Sequence, residues 1–281
     1  MTGSRRARSR PVAWLVLLAA TLLVTSTGCS SDERSTPLVV ATTDIVGWLV
    51  RAVAGPSAEV SVVIPTGTDP PGFTGDERTD ALLGDADLIV SVGGGWEMGL
   101  QPALDAARRR GTPVVDLLDE LAPEPYGEGP AYTFGPAPSG PGAPAPGAPD
   151  PAFWKDPDRA VQAARSIAAA LDRLSPGAAV LTAVNVGRVE RDLAAADETV
   201  QAVLGDLPDT ARLVVTDDPH LGYFAQRYGL SIVAPGGDRP APTDVVLYTA
   251  GLGPEGSGAE TLPGLLVVDA RNLATALSRT P

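Results

Sequence analysis

One histidine, one lysine and one cysteine set the chemistry open to this chain of 281 residues. His220 closes the run Thr216-Asp217-Asp218-Pro219-His220, Lys155 sits in Trp154-Lys155-Asp156, and Cys29 follows Thr25-Ser26-Thr27-Gly28. A phosphate loop needs a Lys directly after a Gly-rich run, and the lone Lys has no such run before it. A zinc site built on two or more His is excluded by count, as are Cys-rich zinc and iron–sulfur centres. A Ser-His-Asp triad would have to use His220 as its base, and no G-x-S-x-G elbow is present. Gly93-Gly94-Gly95-Trp96-Glu97 lacks the G-x-G-x-x-G spacing and reads as a strand-end turn. With no nucleophile–base set and no cofactor loop, the chain reads as a protein that is not an enzyme.

Cys29 has a different context. Arg5, Arg6, Arg8 and Arg10 precede an apolar run from Val12 to Val24, which is too short to span ~30 Å of hydrocarbon. Small residues then lead to the cysteine. Residues 1–28 read as a signal peptide and Cys29 as a lipidated N-terminus, although Ser26 stands where a large aliphatic residue is usual. The mature protein is expected to be secreted and lipid-anchored to the outer face of the cell membrane, with residues 29–36 as its tether. A lipidated Cys29 leaves no thiol for a disulfide, so stability must come from the core.

Removing four arginines with the leader takes the formal charge from −13 to −17. So acidic a body argues against nucleic acid and anionic surfaces as partners. It is compatible with attracting cations, although acidity often serves solubility alone.

The elements that would position any site alternate in type. Leu38–Thr42, Val60–Ile64, Asp87–Val92 and Pro113–Asp116 read as buried strands. Helical spacing fills Ile45–Ala54, Thr79–Leu83 and Met98–Arg110 between them. This is the pattern of a parallel sheet covered on both faces, over residues 37–121. Residues 122–149 are rich in Pro, Gly and Ala and read as a loop or disordered insert on the edge of that lobe. Residues 150–207 read as helices. The second of them, Ala178–Leu207, is long enough at ~45 Å to link two lobes. Residues 208–281 read as a second α/β lobe. Its expected strands are Arg212–Thr216, Leu230–Ala234, Val245–Tyr248 and Leu265–Val268, with helices near Tyr223–Tyr228 and Asn272–Ser278. The fold class is α/β: two lobes with parallel sheets flanked by helices, joined by a long helix.

Motif order then carries a resemblance. Val39-Val40-Ala41-Thr42-Thr43 looks like an opening strand, and Ile64-Pro65-Thr66-Gly67-Thr68-Asp69-Pro70 like a "P-x-G-x-D-P-H" segment. Ala86-Asp87-Leu88 resembles an "ADL" strand, and Asp150-Pro151-Ala152-Phe153-Trp154-Lys155-Asp156-Pro157 resembles "D-P-H-x-W-x-D-P". Val215 to Phe224 is similar to "V-T-x-H-x-x-x-G-Y-F", with Tyr228-Gly229-Leu230 after it. Together these resemble the cluster A-I solute-binding proteins, which deliver zinc or manganese to ABC importers. The resemblance implies a permease and its ATPase as partners, a divalent metal (Mn or Zn) as transported ligand, and a monomer.

The same resemblance implies three His and one carboxylate around the metal. Here Pro71, Ala152 and Asp218 stand at the three His positions. The acid that follows a late strand is matched to Asp269, after Leu266-Val267-Val268. Pro71 and Ala152 carry no donor, so the expected metal residues are Asp218 and Asp269, facing one another across the lobe junction. Such an oxygen-rich pair suits a hard ion such as Mn²⁺ better than Zn²⁺. Asp69 reads as a turn residue, and Trp48, Trp96 and Trp154 as core. His220, two residues past the ligand position, reads as a capping or packing residue before the Tyr223 helix. The alternative function is a degenerate member that has lost transition-metal binding and acts as an accessory, adhesion or other-ligand-binding lipoprotein.

Overall fold

The computed structural model describes residues 36–139, 142–236 and 244–279. The leader, Cys29 and most of the tether fall outside the described residues, so the anchor reading stands on sequence alone.

Four short strands open the fold: β1 (Leu38–Thr43), β2 (Glu59–Ile64), β3 (Leu88–Ser91) and β4 (Val114–Asp116). All pair in parallel, in the order β2-β1-β3-β4. β1 and β3 are buried along their whole length. That burial is why both read as unbroken apolar runs rather than alternating ones. Helix α1 (Asp44–Ala54) returns the chain from β1, with Thr43 accepting the Val46 N–H as its cap. Its buried stripe of Ile45, Val46, Leu49, Val50 and Val53 stabilises by about 1.5–3 kcal/mol per side chain. Helices α2 (Glu77–Gly84) and α3 (Gln101–Arg110) cover the other face. Gly111 ends α3 in the left-handed conformation (φ 89°) that glycine adopts without steric cost. The stub α4 (Leu117–Glu120) follows β4.

Two longer helices come next, α5 (Pro157–Leu174) and α6 (Ala179–Gly205). α6 matches the expected linking helix. It packs against α1, α5 and the last helix, so both ends of the chain share one support. The second sheet is a single parallel pair, β5 (Leu213–Val215) with β6 (Ser231–Val233), connected through α7 (Gly222–Tyr228). Arg227 ties three helices together. It donates two hydrogen bonds to Asp197 on α6 and further ones to Asp156 and Asp158 at the start of α5.

Two expectations fail in the C-terminal third. Val245–Tyr248 forms no strand, and Leu265–Val268 belongs to helix α8 (Leu262–Leu277). Four consecutive apolar residues cannot be told from a strand by periodicity. In fact Leu262, Leu265, Leu266, Leu273 and Leu277 share one buried face, and Thr261 caps the helix by accepting the Gly264 N–H. The 245–248 strip has no ladder because α8 side chains satisfy it: Asp269 accepts the Tyr248 N–H, and Asn272 donates to the Val246 carbonyl.

The described part of the Pro/Gly/Ala-rich segment is irregular chain that packs on the second lobe and, at Gly142, stands against Pro71 of the first. Tyr126 and Ala131 are buried, the Glu124 N–H donates to the Tyr223 hydroxyl, and the Pro136 carbonyl accepts the Ala234 N–H. Among the described residues no helix is long and apolar enough to cross a membrane.

Candidate functional site

In a sheet ordered β2-β1-β3-β4, the chain leaves β1 and β3 toward opposite neighbours, so a crevice opens at their carboxyl ends. After β3 the chain turns through Gly93, Gly94 and Gly95, all at positive φ (84°, 60° and 84°). Glu97 folds back under this turn. Its carboxylate accepts from the Thr42 hydroxyl and the Val92 and Gly93 N–H groups, and burial pushes its pKa up. The turn delivers Trp96 into the crevice, where its ring meets Trp154 at 5.6 Å and the His220 ring edge-on at 4.8 Å.

The second sheet supplies the polar groups. After β5, the Asp218 N–H donates to the Thr216 hydroxyl at 3.0 Å, and Asp218 accepts the His220 N–H at 2.8 Å. This pair of turns folds His220 back so that its Nδ1 lies 3.1 Å from Asp218 Oδ1, while the Thr249 hydroxyl donates to Oδ2. Burial works to raise the Asp218 pKa, but the His220 and Thr249 hydrogen bonds outweigh it and hold the carboxyl below its ordinary value. With Nδ1 held by the carboxylate, the free nitrogen of His220 is Nε2. It is buried with no hydrogen-bond partner among the described residues, beside the crevice wall at Gly142 and Pro71.

Asp150 forms the floor. It is 3% exposed, accepts the Ala152 N–H at 2.9 Å, and shares the space over Gly222 with the Tyr132 hydroxyl, which has no partner among the described residues. Burial raises its pKa to about 7, opposed by the Ala152 N–H and by His220. Pro71 and Ala152, the two donor-less positions, border this region: Pro71 lines an open cleft of about 520 Å³ with Asp69, Trp96 and Met98, and Ala152 is fully buried.

Asp269 lies elsewhere than expected. It follows no strand but sits in the middle of α8 with no exposed surface. Lys155 Nζ donates to its Oδ2 at 2.6 Å and to the Tyr248 carbonyl, also at 2.6 Å, so the cation beside Asp269 is the chain's own ammonium. Asp218 lies near enough to add to the upward push on the Asp269 pKa, but both oxygens of Asp269 are already engaged, by Lys155 and by the Tyr248 N–H. Each holds one residue of the strip that ends at Ala250, Asp218 taking Thr249 and Asp269 taking Tyr248. Among the described residues, no three His, Cys, Asp or Glu side chains stand close enough together to hold an ion. Asp150 and Tyr132 were the residues that sequence reasoning passed over. The available signal was an acid three residues before the buried Phe153-Trp154 pair.

This geometry belongs to a known group. Residues 39–247 match the family model of the zinc-uptake complex component A, periplasmic. The chain belongs to that family. Curated relatives of the family include the manganese-binding lipoprotein MntA of Halalkalibacterium halodurans, 23% identical over 78% of this chain. Another is the manganese ABC transporter substrate-binding lipoprotein PsaA of Streptococcus pneumoniae, 24% identical over 78%. The matches span 66% and 68% of those relatives' own length. The fold agrees with the periplasmic zinc-binding protein TroA of Treponema pallidum, at TM-score 0.70 and 20% identity, covering 87% of this chain and all of that one. It agrees equally with a Mn-bound periplasmic metal-binding protein from Candidatus Liberibacter asiaticus, at TM-score 0.70 and 17% identity, covering 86% and 100%. Being a family of solute-binding components, it does not make this chain an enzyme.

Proposed function

We propose that this protein is the extracytoplasmic solute-binding component of an ABC importer of the divalent-metal type, lipid-anchored through Cys29 and handing its cargo to a membrane permease with its ATPase. The observation that carries the reading is the family match. It runs from β1 through the linking helix α6 and past β6, so the whole frame that holds the crevice is the family's own. The acidic body adds to it by drawing cations toward the crevice.

Within the crevice we place the cargo against His220 Nε2, with Asp218 orienting the ring and contributing negative charge. Asp269 then acts at a distance, by fixing Lys155 and through it the 248–249 strip. A second reading, a member that has given up transition-metal binding, is favoured by two observations: Pro71 and Ala152 offer no donor, and among the described residues no three ligand-type side chains converge. Calorimetric titration of metal-stripped protein with Mn²⁺ and Zn²⁺, against Ca²⁺ as control, separates the two. Saturable binding that is lost in His220→Ala supports the carrier; heats indifferent to the ion support the second reading.

A further inference from the structure

The far end of the molecule carries a surface that metal binding does not use. From Leu174 to Gly187 there are 14 consecutive residues without a charge, spanning the turn between α5 and α6. The body carries a formal charge of −17 after loss of the leader, and no acid lies within this stretch. Its apolar side chains face outward: Val180 is 80% exposed, Val184 62% and Leu181 36%. Asp172, the acid nearest this tip in sequence, is occupied by the Thr182 hydroxyl at 2.6 Å. The residues that flank the tip are basic and exposed, Arg173 on α5 and Arg188 on α6. An apolar groove of about 230 Å³, lined by Leu88, Pro113, Val115, Ala170, Arg173 and Leu174, adjoins the tip at Arg173 and Leu174.

The tip lies where the chain enters the fold. Asn185, on the inner side of the tip, donates from Nδ2 to the Val53 carbonyl at 2.8 Å, at the end of α1. From there the chain turns into Glu59, whose N–H bonds the Pro37 carbonyl at 2.9 Å. Only seven residue steps separate Cys29 from Thr36. At ~3.5 Å per residue they reach ~25 Å at most. A lipid at Cys29 therefore keeps this end of the body close to the bilayer.

We propose that the α5–α6 tip, where no acid from Leu174 to Gly187 opposes it, rests on the phospholipid surface, with Val180, Leu181 and Val184 entering the interface and Arg173 and Arg188 meeting anionic headgroups while the acidic remainder of the body stays clear of them. The inference rests on the lipid-anchor reading of Cys29. An apolar tip with basic flanks is the second attachment that a single anchor calls for, and it sets orientation. Its consequence is a parked state, because the crevice at the carboxyl ends of the strands then points away from the membrane.

The test uses the full lipidated chain, in which Cys29 is blocked. Val184→Cys then gives one labelling position for an environment-sensitive fluorophore, and Met98→Cys, at the opposite end of β3, gives the control. In vesicles of phosphatidylcholine with phosphatidylglycerol, emission at position 184 should rise roughly twofold or more and be quenched by nitroxide lipids, while position 98 stays unchanged. Equal responses at the two positions overturn the proposal. So does a rise that appears in detergent without vesicles and grows with protein concentration, which would make a second copy of the chain the occupant. Labelling the parent chain separates this from the anchor: thiol reactivity there refutes lipidation at Cys29, and adding Cys29→Ser to Val184→Cys then confines the label to the tip.

Discussion

Replacing Asp150 by Asn should remove a loss of stability that sets in as pH rises toward neutrality. Asp150 is 3% exposed, and burial lifts its pKa from 3.8 to about 7 in the fold. The unfolded chain releases this proton near the ordinary value, and the folded chain holds it until about 7. Between those limits the folded state binds more protons, so raising the pH through the window removes stability. About 3 pKa units at ~1.4 kcal/mol each gives a loss of up to about 4 kcal/mol between pH ~4 and pH ~8. Asn keeps the acceptor for the Ala152 N–H, has no proton to lose, and brings an N–H₂ group toward the Tyr132 hydroxyl. Urea unfolding of both proteins in chelator, across that pH range, is the assay. The difference between them should be small in acid and grow to favour the variant above pH ~7. Curves that stay parallel across the window would refute the reasoning, because they would mean that the carboxyl titrates at the same pH folded and unfolded.

Lys155→Met should cost about 3–5 kcal/mol in urea melts by leaving Asp269 buried and unpaired. The loss should be smaller in acid, because burial already pushes the Asp269 pKa up and protonation removes the stranded charge, and Lys155→Met with Asp269→Leu should recover most of it. Gly222→Ala should lower the thermal midpoint by the equivalent of about 1–3 kcal/mol. Its new methyl would stand 2.6 Å from the Tyr132 hydroxyl and 2.7 Å from Asp150 Oδ2. Arg227→Ala should loosen the junction of α5, α6 and α7. Its cost should fade as acid protonates Asp197, whose pKa the Arg227 hydrogen bonds hold down, and hydrogen exchange along α7 would report it.

The first lobe was legible because its strands are buried on both faces and its helices carry their own punctuation, Thr43 before α1 and Gly111 after α3. The linking helix was legible from length alone. The C-terminal third was not, because an apolar quartet such as Leu265–Val268 has no period, and an irregular strip satisfied by helix side chains looks like a strand in sequence. That single error misplaced Asp269: read after a strand it resembles a ligand, whereas in the helix it is the partner of Lys155. Asp218 was found through motif order and His220 was set aside by its offset. Only the Asp218 turn, which folds the ring back beside its own carboxylate, reveals that the offset nitrogen stands at the crevice. The order of the Pro-rich segment could not be read from composition, since it depends on Tyr126 and Tyr223 contacts made at long range.

The central claim is that this frame carries a divalent transition metal through the His220–Asp218 end of the crevice. Calorimetric titration of the metal-stripped protein tests it most directly. The account predicts saturable binding of Mn²⁺ or Zn²⁺ at least about tenfold tighter than Ca²⁺, a gap of ~1.4 kcal/mol, and its loss in His220→Ala. No saturable heat, or Ca²⁺ binding as tightly as the other two, would contradict it.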